Sequence, residues 1–85
     1  MGEVQILVRY FAAARAAAGT ETETLRFPAG TTVHTVVDEL AGRGPELAKV
    51  LARCSYLLDG IAVRDKNVVL ETRETLDVLP PFAGG

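Results

Sequence analysis

Six residues carry the one arrangement in this 85-residue chain that suggests chemistry: Pro80-Pro81-Phe82-Ala83-Gly84-Gly85. Proline fixes φ and holds the start of the stretch extended. The two glycines carry no Cβ and let another backbone come within contact distance. With Gly85 as the chain end, the group on offer is its α-carboxylate. A pKa near ~3.5 leaves that group ionised at pH 7, so it repels nucleophiles and has no leaving group. Acyl chemistry there requires that the carboxylate first be activated. Six extended residues span up to ~20 Å, enough to cross an active-site entrance while a folded body stays outside. The expectation is a single domain over 1–85 in which 80–85 form an extended, flexible tail. Gly85 and Gly84 are its chemical end, and Ala83 enters the partner with them. A frayed terminus is the bland alternative, but a random end seldom joins a proline pair to a glycine pair in this order.

Little else competes. His34 reads as exposed filler on a helix, Cys54 as a small buried residue, and Arg73-Glu74 as a solvated turn. The sequence holds no nucleophile with an adjacent base, no ligand cluster and no phosphate loop, so no metal site and no bound cofactor are expected. One cysteine excludes an internal disulfide framework and suits a reducing compartment. Nine basic residues are scattered and the net charge is −2, which argues against nucleic acid as a partner. No apolar run approaches the ~20 residues a bilayer needs, and a signal-peptide pattern is lacking. A cytoplasmic location without membrane contact is the expectation.

The tail needs a body to hold it. Val4 to Phe11 is rich in β-branched and aromatic residues and reads as a strand, with Val4, Ile6, Val8 and Tyr10 inward. Leu7 and Phe11 then lie on the outer side. Ala12 to Ala18 is a short helix closed by Gly19 in the left-handed conformation. Glu21 to Phe27 is a second strand with Leu25 and Phe27 inward. Thr31 or Thr32 caps the main helix, whose Val33, Val36, Val37 and Leu40 recur at helical spacing. Pro45 to Arg53 is a second, shorter helix. Asp59-Gly60 between Tyr56-Leu57-Leu58 and Ile61-Ala62-Val63 predicts a hairpin through a type I′ turn. Val68-Val69-Leu70 is too short to assign. Thr75 to Leu79 is the last strand, with Leu76 and Val78 inward and Asp77 and Leu79 outward. One mixed sheet with the main helix packed across one face accommodates this order, an α+β domain of the β-grasp (ubiquitin-like) kind. A ferredoxin-like domain would want a second full-length helix late in the chain.

With order and tail together, the chain resembles the ubiquitin-like sulfur carriers, and among them most closely the small subunits of molybdopterin synthase. The resemblance rests on Tyr10-Phe11, the Ala-containing helix with Arg15 and Gly19, Thr32-Val33 opening the main helix, and the Pro-Pro-apolar-small-Gly-Gly end. It departs at Thr72-Arg73-Glu74-Thr75, where the family usually turns through an Asp-Gly-Asp type sequence. What the resemblance implies is sulfur transfer. An adenylating (E1-like) activating enzyme uses ATP on the Gly85 carboxylate, a persulfide sulfur displaces AMP, and the thiocarboxylate donates sulfur inside the large synthase subunit for the molybdopterin dithiolene. The chain alone is then a non-catalytic carrier, and part of an enzyme only with that subunit. Leu7, Phe11 and Leu79 would form the docking patch, with Pro80 and Pro81 setting the exit direction and Phe82 touching the partner.

Two other functions share the tail. A carrier for thiazole (thiamine) or cysteine synthesis uses the same chemistry, and a ubiquitin-like modifier would join Gly85 to lysines. A plain binding module recruiting through its sheet edge would do without Gly84 and Gly85 altogether.

Overall fold

Strict alternation fixes the first element. In β1 (Glu3–Tyr10), Val4, Ile6, Val8 and Tyr10 are buried and every residue between them is exposed, as a strand with one covered face requires. Phe11 ends it, extended at φ −119° and ψ 148°, and serves as N-cap of α1 (Ala12–Ala18) instead of lying in the strand. Ala12 takes a positive φ of 49° at this corner. Gly19 closes α1 in the left-handed region at φ 78°, its N–H donating to the Arg15 carbonyl, the geometry glycine adopts without Cβ strain.

β2 (Thr22–Pro28) buries Phe27 and half-buries Leu25. It is an edge strand, which is where a terminal proline costs no ladder bond. Next come α2 (Val33–Ala41), α3 (Pro45–Leu51), β3 (Ser55–Leu58), β4 (Ile61–Ala62) and β5 (Thr75–Leu79). α3 stops two residues before the expected Arg53. The hairpin turn is as the Asp-Gly pair predicts, with φ 50° at Asp59 and 83° at Gly60. The structure is a computed structural model that describes residues 2–81.

The start of α2 shows how an unassigned segment earns its place. A helix leaves its first N–H groups without internal partners. Here Val33 N–H donates to the Val68 carbonyl at 3.1 Å and His34 N–H to the Lys66 carbonyl at 2.8 Å. Thr32 Oγ1 accepts from Thr35 N–H at 3.2 Å, which settles Thr32 as the cap. Leu70, 2% exposed, sinks into the core beside them, and its N–H donates to Thr31. The Val68-Val69-Leu70 stretch is therefore a plug over the helix entrance, with one bridge between Val69 and Thr32.

The five strands run β2-β1-β5-β3-β4. β1 and β5 are parallel and the remaining pairs antiparallel. Residues of all three helices join the inward sheet residues in one apolar cluster, including Ala14, Val36 and Leu47 with Ile6, Val8 and Val78. This is the expected β-grasp arrangement, a mixed sheet with the main helix on one face. Among the described residues there is no second full-length helix late in the chain.

Candidate docking face and tail root

β5 delivers the tail. It sits between β1 and β3, pairing Val78 with Tyr10 on one side and with Tyr56 on the other. Val78 is fully buried, Leu79 and Pro80 are half-buried and Pro81 is exposed, so the chain leaves the body at the proline pair. An open groove of about 590 Å³ runs beside this exit, lined by Ala13 of α1, by Lys49 and Arg53 on the α3 side, and by Pro80 and Pro81 themselves. Phe82, Ala83, Gly84 and Gly85 lie outside the described residues.

The outer sheet face carries the expected apolar residues. Leu7 is 36% and Phe11 38% exposed, and the parallel register Leu7↔Thr75, Arg9↔Asp77 sets Leu79 on their side of the sheet. Leu57 of β3, opposite Asp77, joins this face. Sequence reasoning missed a second exposed apolar group, Ile61, Val68 and Val69. Of these, Ile61 and Val68 line a separate groove with Leu58 and Val63. Nothing in local periodicity marks it, because it is assembled from the hairpin and the segment before β5.

Asp77 was expected to face solvent; its side chain is outward but only 5% exposed. The reason is Arg9 on the neighbouring strand. Its Nε donates to Asp77 Oδ1 at 2.6 Å and its Nη2 to Oδ2 at 2.8 Å, a bidentate fork that covers the carboxylate. The hydrogen bond and charge of Asp77 raise the Arg9 pKa further, so the guanidinium is charged throughout the accessible range. The Phe11 ring centroid lies 5.7 Å from Arg9 Cζ, within cation–π range. The outer face therefore has a compensated ion pair between its apolar residues.

Behind the sheet a polar network closes one end of the core. Tyr10 Oη donates to Glu23 Oε2 at 2.6 Å, and Arg43 Nη1 donates to the same oxygen at 2.8 Å. Burial raises the Tyr10 phenol well above its ordinary value, with the Glu23 bond adding to it. Burial also pushes Glu23 up, but hydrogen bonds from Arg43 and Tyr10 outweigh it and leave the carboxyl below its usual value. Cys54 is half-buried, its thiol directed at the Val50 carbonyl at 3.2 Å, and desolvation raises its pKa. It therefore resists becoming thiolate. His34 is exposed, with Nε2 3.3 Å from Asp38 Oδ2 one turn on, a pairing its spacing allows and sequence reading overlooked. No cluster of three or more metal-ligating residues forms among the described residues.

A buried strand, β5, runs straight into the Pro-Pro exit. The ThiS family profile matches residues 8–85. The chain belongs to the ThiS family. It is 33% identical over 82 residues to the molybdopterin synthase sulfur carrier subunit of Arabidopsis thaliana, covering 96% of this chain and 84% of that protein. Among solved structures, the Haloferax volcanii protein HVO 2177 matches with a TM-score of 0.85 and 26% identity, over 99% of this chain and 89% of the other. Small archaeal modifier protein 1 of Methanosarcina acetivorans matches over the full length of both chains with a TM-score of 0.81 at 24% identity. That last likeness is one of fold alone, so the β-grasp body by itself does not separate family members that carry sulfur from proteins named as modifiers. Among the described residues no helix is long and apolar enough to cross a membrane.

Proposed function

We propose that this chain is the sulfur carrier subunit of a molybdopterin synthase, acting in the cytoplasm as a partner of other proteins and binding no cofactor itself. The observation that carries this reading is the family match extending through Pro80-Pro81 to Gly84-Gly85, supported by the sulfur carrier subunit that resembles the chain over almost its whole length. An adenylating enzyme couples ATP to the Gly85 carboxylate, forming an acyl-adenylate and releasing pyrophosphate. A persulfide then attacks the acyl carbon and AMP leaves. Cleavage of the sulfur–sulfur bond by a thiol frees the thiocarboxylate and leaves a disulfide on the donor. Its polarizable sulfur is a far better nucleophile than the oxygen it replaced, and it acts inside the large subunit of the synthase.

The body serves this chemistry by position. Pro80 and Pro81 hold the exit extended, while Leu7, Phe11 and Leu79 meet the partner on the outer sheet face. Gly84 and Gly85 leave space on every side of the reacting carbon. A reconstituted assay with activating enzyme, sulfur donor and large subunit tests the reading. Gly85→Ala is expected to lose sulfur transfer while folding unchanged, and retention of the full rate by that variant contradicts it.

A further inference from the structure

The outer face holds a feature that a purely apolar docking surface does not need. Asp77 is covered, its side chain 7% exposed, whereas that of Arg9 is 47% exposed. The fork uses Nε and Nη2, and no bond from Nη1 forms among the described residues. Arg9 thus lies across the carboxylate with its remaining N–H donors turned from it, between Leu7 and Phe11 of its own chain segment. Against Arg9 and Phe11 opens a cleft of about 330 Å³, whose other lining includes Arg15 and Glu21. Those two are also paired, at 3.7 Å. Every cation bordering the cleft therefore has its own carboxylate.

This charge balance decides what fits. Burying a lone guanidinium under a partner is costly, and burying one already bound to a carboxylate is much less so. A partner carboxylate placed on Arg9 would instead leave an excess negative charge beside Asp77. A neutral acceptor satisfies the free N–H groups and leaves the site without net charge. Given that the outer face is the docking face of the proposed function, on which this step rests, we propose that Arg9 is a specificity-determining contact for the large synthase subunit. It donates to a carbonyl oxygen of that partner, with an adjacent apolar partner side chain entering the cleft against Phe11. Asp77 is the positioning residue, fixing the guanidinium plane and supplying the compensating charge.

The test is affinity of the full chain for the large subunit, measured across ionic strength. Wild-type affinity is expected to change less than about twofold between roughly 0.05 and 0.5 M salt, because no net charge is matched across the contact. A steep loss with salt would mean an ionic partner and overturn the carbonyl assignment. Replacing both partners, Arg9→Leu/Asp77→Leu, removes the pair without stranding a charge, an exchange folded proteins tolerate. It is expected to fold, by circular dichroism and urea melting, and to bind roughly 10- to 100-fold more weakly, the scale of one lost hydrogen bond to a charged donor. Undiminished binding by the double variant overturns the proposal. Leu7→Asp separates the two levels: if it abolishes binding while the double variant binds normally, the docking face stands and the Arg9 assignment falls. If neither change matters to a large subunit that binds, both fall.

Discussion

The main-chain N–H of Phe11 donates to the Val78 carbonyl at 3.2 Å. The exposed aromatic at the end of β1 is thereby tied to the strand that carries the tail, one residue before Leu79. On the proposed function, a partner that grips Phe11 would also bear on where Pro80 and Pro81 leave the body, coupling docking to delivery of the tail.

Phe11→Ala should therefore separate binding from chemistry. At 38% exposure its ring contributes modestly to the fold, and a loss of about 1 kcal/mol in urea unfolding is expected. Aromatic anchors in an interface cost more than that when truncated. Sulfur transfer at low carrier concentration is expected to fall roughly tenfold and to recover at saturating carrier. A fall that persists at saturation would place Phe11 in the chemical step.

Arg73 stands with φ 72° in the turn that leads into β5. Its N–H donates to the Gln5 carbonyl at 2.7 Å and Thr72 Oγ1 accepts from Gln5 N–H, so the turn is pinned to β1 and cannot relax. The left-handed conformation costs an ordinary residue roughly 1–2 kcal/mol, offset in part by the roughly 0.4–1 kcal/mol of extra unfolded-state entropy that glycine brings. Arg73→Gly is expected to stabilise the protein by about 0.5–1 kcal/mol, read as a rise of a few degrees in Tm. A lower Tm would show that the Arg73 side chain does more than tolerate its backbone.

Leu70 and Val69 are neighbours with opposite expectations. Leu70 is 2% exposed and Val69 50%, although neither lies in a helix or a strand. Leu70→Ala is expected to cost about 2–5 kcal/mol, as for a core leucine, and Val69→Ala about 0.5 kcal/mol or less. Equal effects in chemical denaturation would contradict the plug over the α2 entrance.

Glu23 makes stability depend on acid. Its pKa in the folded protein is held below the ordinary value of 4.5, so the folded state binds the proton less readily than the unfolded chain. The contribution is complete above that ordinary value and is lost as pH falls through the depressed one. Stability should decline below about pH 4.5, and Glu23→Gln should flatten that part of the decline while lowering stability at neutral pH. An unchanged acid limb in the variant would mean that other carboxylates account for it.

Much of this was legible from local pattern. Val4, Ile6, Val8 and Tyr10 announced the buried face of β1 because a strand repeats every two residues, and Asp59-Gly60 announced its turn because both positions need positive φ. The helix apolar spacing placed Val33, Val36 and Leu40 correctly. The misses are long-range. Asp77 looked solvated because alternation points it outward, and what buries it is an arginine 68 residues away in sequence, brought alongside by parallel pairing. Leu70 had no periodicity to declare it, since its burial follows from where α2 begins. The outer-face candidates Leu7, Phe11 and Leu79 were legible from parity alone, but the ion pair between them was not.

The central claim is that Gly85 itself becomes the sulfur-bearing group, and intact mass tests it most directly. The full-length chain is incubated with ATP, the activating enzyme and a persulfide sulfur source, and its mass is then measured. The account predicts one oxygen replaced by sulfur, located at the terminal residue by fragmentation and absent from a chain truncated before Gly84. An unchanged mass, or Gly85 joined to lysines of other proteins in place of a thiocarboxylate, would contradict it.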